Sequence, residues 1–176
     1  MLGAIDTLVA CAGVMYSTLM ANAKMDQCAQ TVNVNCTGFL NTIGCAVPRM
    51  LARGPSHPCH IVAISSDAGQ KVFPGLGVYS ASKFFVEATL QSLQLETVGS
   101  GLRVTSIQLG NVETSLQGMS TDKEAVDRYA GVPHEGEEPA RILWPADVAD
   151  AILWALKQSG HVAVNEVLIE PREQPT

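Results

Sequence analysis

The chain has 176 residues, 47% of them hydrophobic, with a mean hydropathy of +0.16; this supports a buried core and excludes a disordered chain. Its 17 acidic residues outnumber its 11 Lys and Arg, for a net charge of −6, and no basic cluster stands against that balance. The charge argues against nonspecific binding to nucleic acid or anionic membrane.

The opening run MLGAIDTLVACAG places Asp6 inside a short apolar stretch with no basic region before it, which reads as neither a secretory signal nor a membrane anchor. Residues 5–11 form the first expected strand, closed by Gly13. From 25 to 53, apolar residues recur at Cys28, Val32, Phe39, Ile43, Val47 and Met50, the spacing of a helix, which Pro48 bends. Asn35 falls on the same face as Val32 and Phe39, and a buried amide there needs hydrogen-bond partners. By itself it reads as a satisfied core asparagine. The sequon formed by Asn35, Cys36 and Thr37 lies inside this helix and is discounted as a glycosylation site.

After the turn-rich GPSHP, residues 60–65 form a second strand, followed by a glycine-rich loop to Gly77. A helix over 78–98 is expected to bury Phe85, Ala88, Leu93 and Leu95 in part, and the glycines at 99 and 101 end it. Residues 102–109 are a third strand. The stretch 110–143, with Pro133 and Pro139, reads as a long loop with a short helix near 123–129. Pro145 starts a further helix ending near Gly160, and residues 162–169 are a fourth strand. Trp144 and Trp154 are expected to pack in the core. Apolar strands alternating with amphipathic helices predict an α/β fold, a parallel sheet with helices on both faces and its site at the carboxyl ends of the strands.

The cysteines at 11, 28, 36, 45 and 59 are odd in number, contain no CxxC pair and sit in apolar stretches, so small buried thiols in a reducing, cytoplasmic setting are expected. His57, His60, His134 and His161 lack metal-ligand spacing, which predicts no metal and leaves them surface or capping roles.

Chemistry concentrates in YSASK, residues 79 to 83, preceded by HIVAISSDAG. On a helix, Tyr79 and Lys83 share a face about one turn apart. A free phenol, with a pKa of about 10, is a poor acid or base near neutrality, and a neighbouring ammonium favours its ionised form. A hydroxyl from Ser66 would then share hydrogen bonding to a substrate oxygen, a set suited to proton transfer at a carbonyl or alcohol. The YxxxK spacing alone arises by chance on many surface helices.

Ser66 stands thirteen positions before Tyr79, and with Lys83 four after it the chain resembles the short-chain dehydrogenase/reductase family. The resemblance implies a Rossmann-like sheet in a single domain spanning 1–176, with Tyr79 as general acid or base. It assigns Lys83 to lowering the tyrosine pKa and holding the nicotinamide ribose, and Ser66 to positioning the substrate oxygen. NCTG, residues 35 to 38, is similar to the family segment whose asparagine supports a proton relay to the lysine, and that role passes to Asn35. The family's Asn-Asn-Ala-Gly appears here as Ala10, Cys11, Ala12 and Gly13, so small residues allow cofactor approach while the strand-tying asparagine is lost. Leu109 replaces the family's proline before Gly110, and the backbone of Val112 and the hydroxyl of Thr114 are the expected nicotinamide contacts. WPADVADAILWAL and VAVNEVLIEPREQ resemble cytosolic members that use NADP and oxidise small 3-hydroxy acids or serine. NADP is therefore the expected cofactor, with NAD possible, a small alcohol or carbonyl compound the substrate, and a homo-oligomer through the two long helices the expected assembly.

No glycine-rich phosphate fingerprint occurs in the chain, which aligns with about the later two-thirds of the family fold and implies a sheet truncated at its N-terminus, lacking about three strands. Two functions follow: an oxidoreductase transferring hydride, or an inactive fragment or noncatalytic interaction protein on the same scaffold. Without the cradle, cofactor binding by residues 1–176 is expected to be weak. Titration with NADPH, followed by nicotinamide fluorescence, should show no binding in the micromolar range, and micromolar affinity would overturn the expectation.

Overall fold

Strand alternation decides which side of the sheet each residue faces, and the computed structural model, which describes residues 4–22, 24–129 and 142–174, shows both faces in use. Strands β1 (Thr7–Ala10), β2 (Cys59–Ile64), β3 (Leu102–Leu109) and β4 (Glu166–Ile169) lie in that order, all parallel. The register sets Val9 against Val62, Ile61 against Val104 and Ile107 against Val167. Cys59, Ile61, Ala63, Leu102 and Val104 form one core with Phe39, Ile43, Ala46, Met50, Val86, Leu90 and Leu93. Those last residues come from α2 (Phe39–Leu51) and α3 (Gly77–Glu96).

Residues of opposite parity face α5 (Pro145–Leu156), whose last carbonyl, on Leu156, accepts from Arg103 Nη2 at 3.5 Å, while Gln158 just beyond accepts from Nη1 at 3.0 Å. Pro145 sits at the first turn of α5, where its missing N–H costs nothing, and Asp147 Oδ2 accepts from the Trp144 amide at 2.7 Å. The remaining helix, α4 (Lys123–Tyr129), follows a 3₁₀ turn at Ser115–Met119. Among the described residues, no helix is long and apolar enough to cross a membrane.

The long helix expected over 25–53 consists of α1 (Met25–Val32), a π-helical stretch at Asn33–Gly38 and α2, with Pro48 inside α2. Its buried stripe differs from the expected one. Val32 is 46% exposed, and the inward positions are Gln27, Thr31, Asn35, Phe39, Ile43, Ala46 and Met50. The sheet underlies only the α2 part; α1 instead lies against α3 and the segment before α4, where Gln27 Nε2 donates to Thr121 Oγ1 at 2.8 Å. On α3 the stripe runs through Tyr79, Lys83, Val86, Leu90 and Leu93, while Ala88 is exposed and Leu95 is 78% exposed. Leu95 follows Leu93 by two residues, which turns it to the far side of the helix.

Three further expectations change. Trp144 and Trp154 are 65% and 54% exposed, because Ala155 is the α5 residue that reaches the sheet fully. Of the cysteines only Cys59 is buried; Cys11 and Cys45 are exposed, beyond the end of β1 and on the outer side of α2. His60 is a core residue, paired with Thr105 Oγ1 at 2.7 Å, since strand position rather than the preceding turn sets its burial. His134 lies outside the described residues.

Burial first, and the nearby Arg103 second, lower the His60 pKa from 6.5 to about 4. A base with a depressed native pKa contributes stability above its unfolded value and loses it as pH falls through the native one. Unfolding by urea should therefore show a loss of about 2 kcal/mol between pH 6.5 and 4 that His60→Gln abolishes. An equal loss in both proteins would show that His60 does not titrate as a buried base.

Candidate active site

Helix α3 starts beside the carboxyl end of β2, and this brings its first inward residues against the ends of three strands. Lys83, buried, donates from Nζ to the Ile64 carbonyl at 3.0 Å, the last residue of β2. Tyr79, one turn earlier and also buried, has its ring centroid 5.7 Å from that ammonium. Ser66 follows β2 by two residues; its Oγ accepts from Ala68 N at 3.2 Å, capping the 3₁₀ turn Asp67–Gly69, and lies near enough to the Tyr79 phenol to act on its pKa. The serine, tyrosine and lysine singled out by spacing are thus brought together.

Their electrostatics depart from the expectation. Burial pushes the Tyr79 phenol up to about 12; the Ser66 hydroxyl acts downward and the Asp67 carboxylate adds to the rise. The Lys83 ammonium, which donates to the Ile64 carbonyl, does not offset this. Burial lowers Lys83 itself from 10.5 to about 8, opposed first by Glu87 and then by Cys11 and Cys36.

Asn35 is a clamp between loop and helix. Its Oδ1 accepts from Val14 N at 2.9 Å, while Nδ2 donates to Val14 O at 2.9 Å and to Ser82 Oγ at 3.0 Å. Ser82 Oγ in turn donates to the Tyr79 carbonyl at 2.7 Å. The π-helical widening at Asn33–Gly38 surrounds this residue, a local irregularity of the kind that clusters at functional sites. The amide thereby fixes the turn holding Ala12 and Gly13. A Cβ built on Gly13 would stand 3.5 Å from Asn35 Oδ1 and 4.0 Å from Lys83 Nζ, so the glycine leaves a small cradle beside the ammonium.

At the end of β3, Gly110 N donates to Ile169 O at 2.9 Å. Val112 bridges Leu143 through the Asn111 carbonyl and the Glu113 amide, and its own amide and carbonyl take no part in that bridge. Thr114 is exposed, its Oγ1 accepting from Leu116 N at 3.3 Å, so its hydroxyl hydrogen is not spent in this contact. Among the described residues, no group of three or more His, Cys, Asp or Glu could hold a metal ion.

Spacing missed several participants. Glu87, buried four residues after Lys83, accepts from Ser106 Oγ at 2.6 Å and was open to discovery as an i, i+4 pair. Asp122 latches the 110–129 segment to the loop after β1, accepting from Thr18 Oγ1 at 3.1 Å, Leu19 N at 3.0 Å and Asn22 Nδ2 at 3.0 Å. Burial raises the Asp122 pKa, but the Leu19 and Ala125 amides, with Asn22 and Thr18, outweigh it and hold the carboxyl below its ordinary range. Gln174, which reaches the site from beyond β4, carried no signal in the sequence.

Comparison with known proteins places this geometry among dehydrogenases. Residues 1–125 match the family described as short chain dehydrogenase. The chain is 63% identical over 174 residues to a glycine betaine reductase of Emericella nidulans, covering 99% of this chain and 13% of that protein. It is 37% identical over 169 residues to an uncharacterized oxidoreductase of Staphylococcus saprophyticus, covering 96% of this chain and 64% of that one. Among solved structures, a serine dehydrogenase complexed with NADP+ in its closed form superposes with a TM-score of 0.84 at 27% identity, over 98% of this chain and 67% of that one. The chain thus spans less than two thirds of the length of both curated relatives.

A lysine whose native pKa is depressed weakens the fold while it is charged, and the penalty fades as pH rises from about 8 toward 10.5, where only the unfolded chain still binds the proton. Lys83→Met should raise the unfolding free energy by about 1 to 2 kcal/mol at neutral pH, with the difference narrowing across that interval. A variant less stable than wild type at neutral pH would refute a net burial cost.

Proposed function

The chain belongs to the short-chain dehydrogenase family, and from that premise we propose that it acts as an oxidoreductase moving hydride between NADP(H) and a small alcohol or carbonyl compound, in the cytoplasm. The observation that carries the reading is the convergence of Ser66, Tyr79 and Lys83 at the carboxyl end of β2.

The residues present suit a nicotinamide ribose. Lys83 spends one of its three N–H donors on Ile64, and the Gly13 cradle lies beside the other two. Ala12, Gly13, Tyr79, Lys83, Gly110, Val112 and Thr114 are the residues that would hold the cofactor. When bound, the nicotinamide supplies or accepts the hydride. The protein's own work is proton transfer and orientation. In reduction, the Tyr79 hydroxyl gives its proton to the substrate oxygen and Ser66 donates a hydrogen bond to the same oxygen; in oxidation, Tyr79 takes that proton back. A phenol at about 12 holds its proton at neutral pH and is ready as the acid. Bringing it toward the working range as a base requires the Lys83 charge to act on the phenol oxygen. Asn35 holds the Gly13 turn against α3 and takes the relay role beside the lysine.

NADP is preferred, with NAD possible: the likeness to the NADP+-bound serine dehydrogenase stands beside a likeness to a short chain dehydrogenase bound to NAD. The likeness to a glycine betaine reductase directs the substrate search to small carbonyl compounds and alcohols bearing a quaternary ammonium, alongside 3-hydroxy acids. A homo-oligomer through the long helices is supported by exposed Leu40 and Phe84, and by an apolar cavity of about 450 Å³ lined by Met20, Val32, Ala81 and Phe85.

A noncatalytic scaffold is the second reading, favoured by Ala10 and Cys11 at the asparagine positions and Leu109 at the proline position. The two separate on one substitution. In a polypeptide that carries these residues and turns over NADPH, Tyr79→Phe should lower kcat by about a thousandfold with the fold retained. Unchanged turnover would remove Tyr79 as the proton donor.

A further inference from the structure

Ser66 has one hydroxyl hydrogen and two acceptors in reach: Asp67 Oδ1 at 3.0 Å and the Leu109 carbonyl at 3.3 Å. The carboxylate is closer and charged, so it takes the hydrogen. The serine then has only lone pairs left to offer, one of which takes the Ala68 amide. In this state Ser66 receives hydrogen bonds, whereas assisting a substrate oxygen requires it to give one.

The other oxygen of Asp67 is gripped from a distant part of the chain. Gln174 Nε2 donates to Asp67 Oδ2 at 3.0 Å, and Gln174 Oε1 accepts from Asn111 N at 2.8 Å. One side-chain amide therefore joins the residue after Ser66 to the residue after Gly110. The grip is held in place by a turn, Gln174 N donating to Pro171 O at 2.9 Å, with Pro171 buried. Gly110 makes room for it: a Cβ there would lie 3.0 Å from Gln174 Cδ and closer still to Oε1. The charged groups facing Asp67 are Lys71, 3.8 Å away and itself 3.5 Å from Glu170 at the end of β4, and the Tyr79–Lys83 face of α3.

We propose that Asp67 and Gln174 are positioning residues of the active site, in which the Asp67 carboxylate sets the resting direction of the Ser66 hydroxyl and Gln174 locks that carboxylate to the Asn111 backbone. Segment 170–174 thereby controls the serine and the cofactor-facing loop together. The inference rests on the catalytic reading of Ser66 and Tyr79, but its geometry is measurable without turnover.

The test uses the 176-residue chain and two nuclear magnetic resonance readouts. Gln174→Ala should speed hydrogen exchange of the Asn111 amide by about tenfold or more while the β2 and β3 amides keep their protection. With ¹³C-labelled tyrosine, assigned through Tyr79→Phe, Asp67→Asn should begin to form the Tyr79 phenolate at lower pH than wild type, by about half a pH unit or more. The Asn side-chain oxygen still accepts from Gln174, so this variant keeps the clamp while the group facing Ser66 changes from a charged acceptor to a neutral donor. Unchanged Asn111 exchange in Gln174→Ala would show that the clamp does not form in solution. An unchanged Tyr79 titration in Asp67→Asn would show that the carboxylate does not act on the serine and phenol. Either result overturns the proposal and leaves the Tyr79 turnover test untouched, so the two failures are distinguishable.

Discussion

A buried ammonium governs this structure. Lys83 is taken out of water at the carboxyl end of β2, where the Ile64 carbonyl receives it and Glu87 faces it from one turn further along α3. An isolated buried cation is costly, so the lysine constrains everything around it: strand end, helix start and the neighbouring carboxylate must all hold their places. Tyr79 is on the same helical face and is carried to the same spot. The constraint that weakens the fold is also the one that gathers Tyr79 and Lys83 beside Ser66.

The sheet supplies the platform. β2 and β3 are buried on both faces, and because all four strands run the same way, the loops that follow them open at one end. Ser66 lies beyond β2, Gly13 beyond β1 and Gly110 beyond β3, so three segments distant in sequence share one rim. Among the described residues, α2 and α3 cover one face and α5 the other. That arrangement leaves Val9 on the edge strand exposed, and with it Trp144 and Trp154, which the hydrophobic pattern had assigned to a core.

Three polar clamps hold the rim. Asn35 fixes the Val14 turn to α3 through Ser82, Asp122 pins the segment before α4 to Thr18, Leu19 and Asn22, and Gln174 joins Asp67 to Asn111. The first two satisfy half-buried backbone groups that irregular loops would otherwise leave unpaired, and the third pairs an exposed amide. The polar inner stripe of α1 packs on α3 and the segment before α4 rather than on the sheet. A reading based on apolar periodicity placed Val32 inside for want of any sign of what the helix would meet.

Sequence by itself determined the alternation of strand and helix, the extent of β3, the short helix α4 and the start of α5 at Pro145, because period and proline are local signals. Spacing also put Tyr79 and Lys83 on one helical face, since a helical turn is a local period, while the resemblance to the family added Ser66. Tertiary structure alone decided which face of α1 is buried, that His60 lies in the core, and that the tyrosine stands at about 12 rather than being drawn down by its lysine. Those outcomes depend on residues up to about a hundred positions apart, such as Asp67 and Gln174, meeting in a place with little water. No local pattern encodes the solvation of a group; only the packed fold sets it.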